Sequence, residues 1–400
     1  MSEKFQSNVA PTYGRFPIIP VRGERARLWD ADGKEYLDFG GGVAVNSLGH
    51  CHPAMVEAIT AQAQKLIHCS NLYEVPGQAE LAAVLNERVM GTPGKVFFAN
   101  SGAEANEFFY KLARRYRPGE RHEVITFTGS FHGRTMGGIS ATAQSKMHDG
   151  FEPLLPGFKY VEFNNTTALE AAISDQTAAI LIEPIQGEGG INVATAEFLN
   201  AAAELCRKHD LLLFFDEVQC GLGRCGTLKG WQSIDGAAEI VPDGVTWAKG
   251  IGGGFPLGAV WINARDGLCD TLGPGMHGST YGGSPLACAV GLAVLGEIET
   301  SALCENSARL GKKIVDEVAA WGSPKLAAIR GRGLMIGFEL DPDSFDWDAP
   351  TAALHVINQL SEKGLLTVPA GPDVVRFLPP LTITESDADE ALAILKSVIQ

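Results

Sequence analysis

Lys249 ends the apolar run GVTWAK, and four of the five residues after it are glycine. A primary amine at the end of a buried strand can add to a carbonyl as a Schiff base and later carry protons, and the glycines leave room for the arm to swing. The alternative, a surface lysine in a flexible turn, fits poorly with the apolar run before it. In LLLFFDEVQCG, five apolar residues lead directly into Asp216. A carboxylate in that position is costly unless it meets a cation or a fixed donor. A protonated ring nitrogen would serve, and so would a helix cap or a salt bridge. The two residues are 249 − 216 = 33 positions apart, enough chain for one helix and one strand to bring them together.

A third group precedes both. Asn100-Ser101-Gly102-Ala103 follows the run KVFFAN and opens the helical stretch AEANEFFYKLARRY. This arrangement aims backbone N–H groups and a positive helix end at an anion, with Ser101 as an added donor and Gly102 allowing close approach. An ordinary helix cap by serine is the plainer reading. Val218 could pack on one face of a bound ring, and Gln219 could bond a phenolic oxygen on it. Labilising a C–H bond of an amino acid requires an electron sink, an anchored phosphate, a protonated pyridine nitrogen and a mobile base. These segments supply a place for each. A lysine beside such a cation, partly desolvated, should have a lowered pKa.

These side chains must be carried by ordered elements. From 53 to 320, the short apolar runs KVFFAN, VITFTG, AAILIEPI, LLLFFDEV, GVTWAKG and LGAVWIN alternate with helical stretches. The pattern predicts an α/β fold with a mostly parallel central sheet flanked by helices and ligands beyond the strands' carboxyl ends. Residues 1–52 contain a hairpin signal at Asp32-Gly33, and 321–400 read as short strands and two helices. The last helix opens near Ser386, where Thr384-x-x-Asp387 fits a capping box. The N- and C-terminal segments are expected to form a smaller α+β domain beside the large one at 53–320.

Composition narrows the function classes. Forty-seven acidic residues against 32 Lys+Arg give a net charge of −15, which disfavours nucleic acid and acidic lipid as partners. The eight cysteines are scattered, with no C-x-x-C pair, so reduced thiols in a cytoplasmic protein are expected. His50 and His52 flank Cys51, but no second cluster with zinc-type spacing follows, and no metal is expected. No basic head followed by an apolar run opens the chain, and no stretch reaches membrane-spanning length without polar interruption.

Taken in order with FHGRT, EPIQGEGG and HGSTYGG, these segments resemble the class III, fold-type I pyridoxal-phosphate aminotransferases. The likeness runs from GHCHP at 49–53 to GPDVVRF at 371–377. It implies pyridoxal 5'-phosphate bound covalently to Lys249, with Asp216 at the pyridine nitrogen and Gln219 near the phenolic oxygen. Ser101, Gly102 and Ala103 would hold the phosphate, and Phe131 would stack on the ring opposite Val218, although both could equally be core residues. Thr280, with Ser279 before it at the substrate side, would reach the neighbouring subunit's phosphate in a homodimer with shared sites. PLACAVGLAVLGEI could bury that interface or be a plain core helix.

On the same resemblance Arg134 would bind a substrate carboxylate, a surface salt bridge being its alternative. Glu188 and Arg376 would form a gate that opens for 2-oxoglutarate. Val43 stands where ornithine-specific members usually carry tyrosine, which favours an N-acylated ornithine as amino donor. Succinylornithine, ornithine and 4-aminobutyrate are the neighbouring choices. An aminomutase or racemase of the same fold, and a cofactor-binding regulator without turnover, are more distant ones.

Overall fold

The computed structural model describes residues 3–117, 119 and 121–400. Its centre is a sheet of seven strands: β4 (Gly94–Ala99), β5 (Glu123–Phe127), β6 (Phe158–Val161), β7 (Thr177–Ile182), β8 (Leu212–Asp216), β9 (Gly244–Trp247) and β10 (Gly258–Asn263), in the order β4-β10-β9-β8-β7-β5-β6. β5, β6, β7, β8 and β9 pair in parallel, whereas β10 runs antiparallel to both neighbours. β7, β8 and β9 are buried at every position, which explains why they read as unbroken apolar runs rather than alternating ones.

Helices cover both faces. The helix Gly102–Tyr116 turns Phe108, Phe109, Leu112 and Ala113 to the sheet and ends with Arg114 and Arg115 in its last turn, a charge placement that favours the negative helix end. Phe109 stacks on Phe214 of β8 at 4.1 Å, and Trp231 packs on Phe215 from the other face at 5.1 Å. Truncating an aromatic of this kind to alanine costs about 3–5 kcal/mol in a typical core. The helix Pro285–Thr300 buries Leu286, Cys288, Val290, Val294 and Ile298. PLACAVGLAVLGEI is therefore a core helix of its own chain. Among the described residues no single helix is long and apolar enough to cross a membrane.

The chain ends share the smaller sheets. β1 (Pro20–Glu24), β2 (Arg27–Asp30) and β3 (Glu35–Asp38) form an antiparallel ribbon, and β13 (Leu365–Leu366) joins it parallel to β3. The β2–β3 hairpin turns through Asp32-Gly33, with Gly33 at φ 83° and the Asp30 carboxylate accepting the backbone N–H groups of residues 32 and 34. A third sheet orders β11 (Leu326–Arg332), β12 (Met335–Leu340), β15 (Val374–Phe377) and β14 (Val368–Pro369). Phe377 of β15 meets Phe39 at 5.1 Å and Phe338 at 4.9 Å, fastening this sheet to the N-terminal segment. The final helix Glu385–Ile399 starts with the capping box of Thr384 and Asp387, a motif whose removal typically costs about 1 kcal/mol.

The register sets up the site. β10 pairs Gly258 with Ala99 of β4 and Ala259 with Trp247 of β9. Hence the segment between β9 and β10, which contains Lys249, lies against the Ser101 turn at the carboxyl ends of β4, β8 and β9.

Candidate active site

A cavity of about 450 Å3 opens at these strand ends, lined by Ser101, Gly102, Ala103, Phe131, Arg134, Glu183, Glu188, Asp216, Val218, Gln219 and Lys249. Asp216 is 3% exposed, so every hydrogen bond to it counts. Its Oδ2 accepts from Asn106 Nδ2 at 2.7 Å and from His132 Nδ1 at 2.8 Å, and its Oδ1 accepts from the Val218 N–H at 3.0 Å. An ionised carboxylate only accepts, so His132 carries its proton on Nδ1. Asn106 is itself fixed, giving a second N–H to the His132 carbonyl at 3.0 Å and accepting from Thr246 Oγ1 at 3.1 Å. A carboxylate has about four lone-pair sites. Three are occupied, which leaves capacity for one more donor from the cavity.

Lys249 opens a short 3-10 turn with φ 47°, left-handed backbone that costs a lysine about 1–2 kcal/mol. Ser47 Oγ donates to the next carbonyl, that of Gly250, at 2.8 Å, and holds the turn. Among the described residues the amine has no hydrogen-bond partner. Burial pushes its pKa below the usual lysine value, against the opposing pull of Glu188 and, more weakly, of Asp216 and Glu183. At the helix start, Ser101 Oγ accepts from the Glu104 N–H at 3.2 Å. Ser101 is thus the N-cap, and the Gly102 and Ala103 N–H groups are left without intrahelical partners at the cavity wall. A Cβ on Gly102 would stand 2.8 Å from both methyl carbons of Val218, so the glycine is needed to seat Val218.

Opposite Lys249, Arg376 of β15 is 1% exposed. Its Nη1 donates to Glu188 Oε1 and to Gln219 Oε1, each at 2.7 Å, and its Nη2 to the Pro369 carbonyl at 3.0 Å, while its Nε is buried without a partner among the described residues. Burial would raise the Glu188 pKa, but Arg376 and Lys249 together hold it below the ordinary carboxylate value. Gln219, expected near a phenolic oxygen, lines the cavity and bridges this pair, its Nε2 lying 3.4 Å from Glu188 Oε1. Arg134 is exposed at the cavity mouth and makes no ion pair among the described residues. Its guanidinium carbon lies 5.4 Å from the centre of the Phe131 ring.

The model of the aminotransferase class-III family matches residues 8–399. An acetylornithine aminotransferase from Caldanaerobacter subterraneus subsp. tengcongensis is 48% identical over 97% of this chain and 96% of its own, and one from Aquifex aeolicus 44% identical over 97% and 98%. The chain belongs to the class-III aminotransferases. The solved N-acetylornithine aminotransferase of Stenotrophomonas maltophilia superposes with a TM-score of 0.81 at 38% identity, covering 97% of this chain and 96% of that one. An ornithine aminotransferase from Toxoplasma gondii, whose active site held PLP at partial occupancy, superposes with a TM-score of 0.91 at 35% identity over 99% and 93%.

Four expected residues of this class-III aminotransferase stand outside the cavity lining: Arg376, which is bonded to the lining residues Glu188 and Gln219, and Ser279, Thr280 and Val43. Ser279 Oγ accepts from Asn100 Nδ2 and from the Gly282 N–H, and Thr280 is exposed. Val43 borders a neighbouring hollow of about 580 Å3 with Tyr13, Phe16, Leu28 and Val368, at φ 61°. The sequence reading also missed three residues. His132 and Asn106 grip Asp216. Glu183 lines the cavity and accepts from the Phe131 N–H at 2.9 Å and the Gly187 N–H at 3.2 Å. The available signal was their place inside FHGRT, AEANEFF and EPIQGEGG, where His132 and Glu183 stand between apolar or glycine neighbours and Asn106 follows Ala105 on the first turns of the helix.

Proposed function

We propose that this aminotransferase binds pyridoxal 5'-phosphate and moves the terminal amino group of N2-acetylornithine to 2-oxoglutarate, giving N-acetylglutamate 5-semialdehyde and glutamate. The observation that carries the reading is that Lys249 and Asp216 line one cavity together with Glu188, which is bonded to Arg376 just outside the lining. The residues suit the cofactor: an amine without a partner among the described residues, a carboxylate with one acceptor site to spare, and two N–H groups left open at a helix start. When bound, the cofactor supplies an electron sink for the pair left on the substrate carbon after proton loss.

Each side chain then has a definable task. Asp216, braced by His132 and Asn106, holds a proton on the ring nitrogen. Lys249, with its pKa lowered by burial, is a base able to take the proton from the substrate carbon and return it elsewhere. Gly102 and Ala103 offer N–H groups to the phosphate, and Phe131 and Val218 enclose the ring. Arg134, exposed and without an ion pair among the described residues, suits a donor carboxylate through bidentate contacts. Arg376 is occupied by Glu188 while the donor reacts, and it is released to a carboxylate of 2-oxoglutarate in the second half. The apolar hollow beside Val43 supports room for an acyl group, and the relatives named above support acetyl.

A homodimer completes the reading. Ile67, Leu72, Tyr73 and Tyr281 are exposed, Leu72 at 88%, and Tyr281 follows Thr280 directly. A second copy laid on this apolar surface would bury it and bring Thr280 to a phosphate that its own chain does not face. The domain division at 1–52, 53–320 and 321–400 belongs to the same proposal. Steady-state rates with acetylornithine, succinylornithine, ornithine and 4-aminobutyrate test the substrate. kcat/KM is expected to be highest for acetylornithine, and a preference for either of the last two overturns the choice.

A further inference from the structure

Glu183 has no task in the reaction as derived, yet it is buried at the floor of the cavity. Each of its two carboxyl oxygens accepts one backbone N–H, and the two donors come from different loops. Oε2 takes the N–H of Phe131, in the loop after β5, and Oε1 that of Gly187, next to Glu188 in the loop after β7. A single carboxyl group therefore joins the loop that supplies the ring-stacking side chain to the loop that supplies the gate carboxylate. We propose that Glu183 is a positioning residue that locks these two loops together, fixing Phe131 over the cofactor site and Glu188 within reach of Arg376. The inference rests on the cofactor reading for what the loops serve, but not for the lock itself.

The surroundings make the carboxyl group hard to replace. His132 and Asp216 face it, and Lys249 lies close enough for Glu183 to raise the pull on its proton. Burial drives the Glu183 pKa up to about 7, His132 pulls it down, Asp216 pushes it up, and the two N–H groups favour the ion. The anionic form uses both oxygens as acceptors, which is the form that ties both loops. Glutamine has the same shape but only one acceptor oxygen, so Glu183→Gln must release one of the two amides, and Glu183→Ala must release both.

Hydrogen–deuterium exchange read at the amides of Phe131 and Gly187, with and without cofactor, tests the lock. Losing a hydrogen bond to a charged group is worth about 1.5–3 kcal/mol, so exchange should quicken about 10-fold or more at both amides in Glu183→Ala and at one in Glu183→Gln. In the holoenzyme, removing a carboxylate from the surroundings of Lys249 should also move the pH midpoint of the visible absorbance downward in both variants. A purely structural strut would not move that midpoint. Wild-type exchange at both amides in Glu183→Ala overturns the proposal. If that variant does not fold, unchanged exchange at both amides in Glu183→Gln does so. Absence of visible absorbance in the wild type with cofactor would instead count against the cofactor reading and leave the exchange result standing.

Discussion

Two corners of the same cavity are built on opposite plans. At the Asp216 corner each carboxylate oxygen is met by donors between 2.7 and 3.0 Å, and Asn106 is itself held by the His132 carbonyl and Thr246. At the Arg376 corner the pair with Glu188 is short at 2.7 Å, but one guanidinium nitrogen is buried without a partner among the described residues and the amide bridge is stretched to 3.4 Å. Among the described residues the Asp216 network leaves only acceptors open, one carboxylate lone pair and the buried Nε2 of His132, and with its donors all used it holds one geometry in a low-dielectric setting. A network with an idle donor can trade partners at low cost. The first corner suits a group that stays through the cycle, and the second suits ligands that alternate.

Breaking the fixed corner should have the larger effect. Asp216→Ala removes the charge meant to keep the ring nitrogen protonated, and kcat should fall by about 10²–10³-fold or more, as when one preorganised electrostatic partner is removed elsewhere. Single-turnover rates with acetylornithine check this, and a rate within a few-fold of wild type would remove Asp216 from the mechanism. Next in size is the exchangeable corner. Arg376→Ala should raise KM for 2-oxoglutarate about 10–100-fold, the worth of a charge-assisted contact, while the half-reaction with the amino donor changes little. Arg376→Lys should not restore it, since an ammonium cannot reproduce the guanidinium fork. Equal damage to both half-reactions would mean that the pair is structural and not a gate.

The smallest effect is one of pH and stability, at a residue that serves neither corner. Glu217, next to Asp216 in sequence, is buried and accepts from the Trp231 N–H at 3.0 Å, and burial pushes its pKa from 4.5 to about 8. Between those values the folded chain holds a proton that the unfolded chain has lost, so this group's contribution to stability is present below pH 4.5 and declines as pH rises toward 8. Glu217→Gln, permanently neutral, should flatten the fall in melting temperature over that window. An unchanged slope would show that the carboxyl titrates normally.

The difference between the corners also marks what the sequence could disclose. Asp216 and Lys249 were legible because each ends an apolar run, and a charge in that position calls for a partner. The capping box at Thr384 and the turn at Asp32-Gly33 were legible because their chemistry is local. His132 and Asn106 were not, since they meet Asp216 across 84 and 110 residues, and only the order of strands in the sheet decides such meetings. Ser101 was read both as an added donor and as an ordinary helix cap, and its Oγ is the cap. Gln219 was placed at a ring oxygen, and its bond to Arg376 could not be read in advance because it depends on the approach of β15. Val43, Ser279 and Thr280 rest on family likeness alone, and their own chain keeps them off the cavity wall.

The central claim is that the amine of Lys249 and the carboxylate of Asp216 serve a single cofactor in this cavity. Borohydride reduction of the enzyme loaded with pyridoxal phosphate, followed by peptide mass spectrometry, tests it most directly. The account predicts the reduced cofactor on the peptide containing Lys249, with no labelling in Lys249→Ala. Label on another lysine, or none on a wild-type chain that turns over, would contradict it.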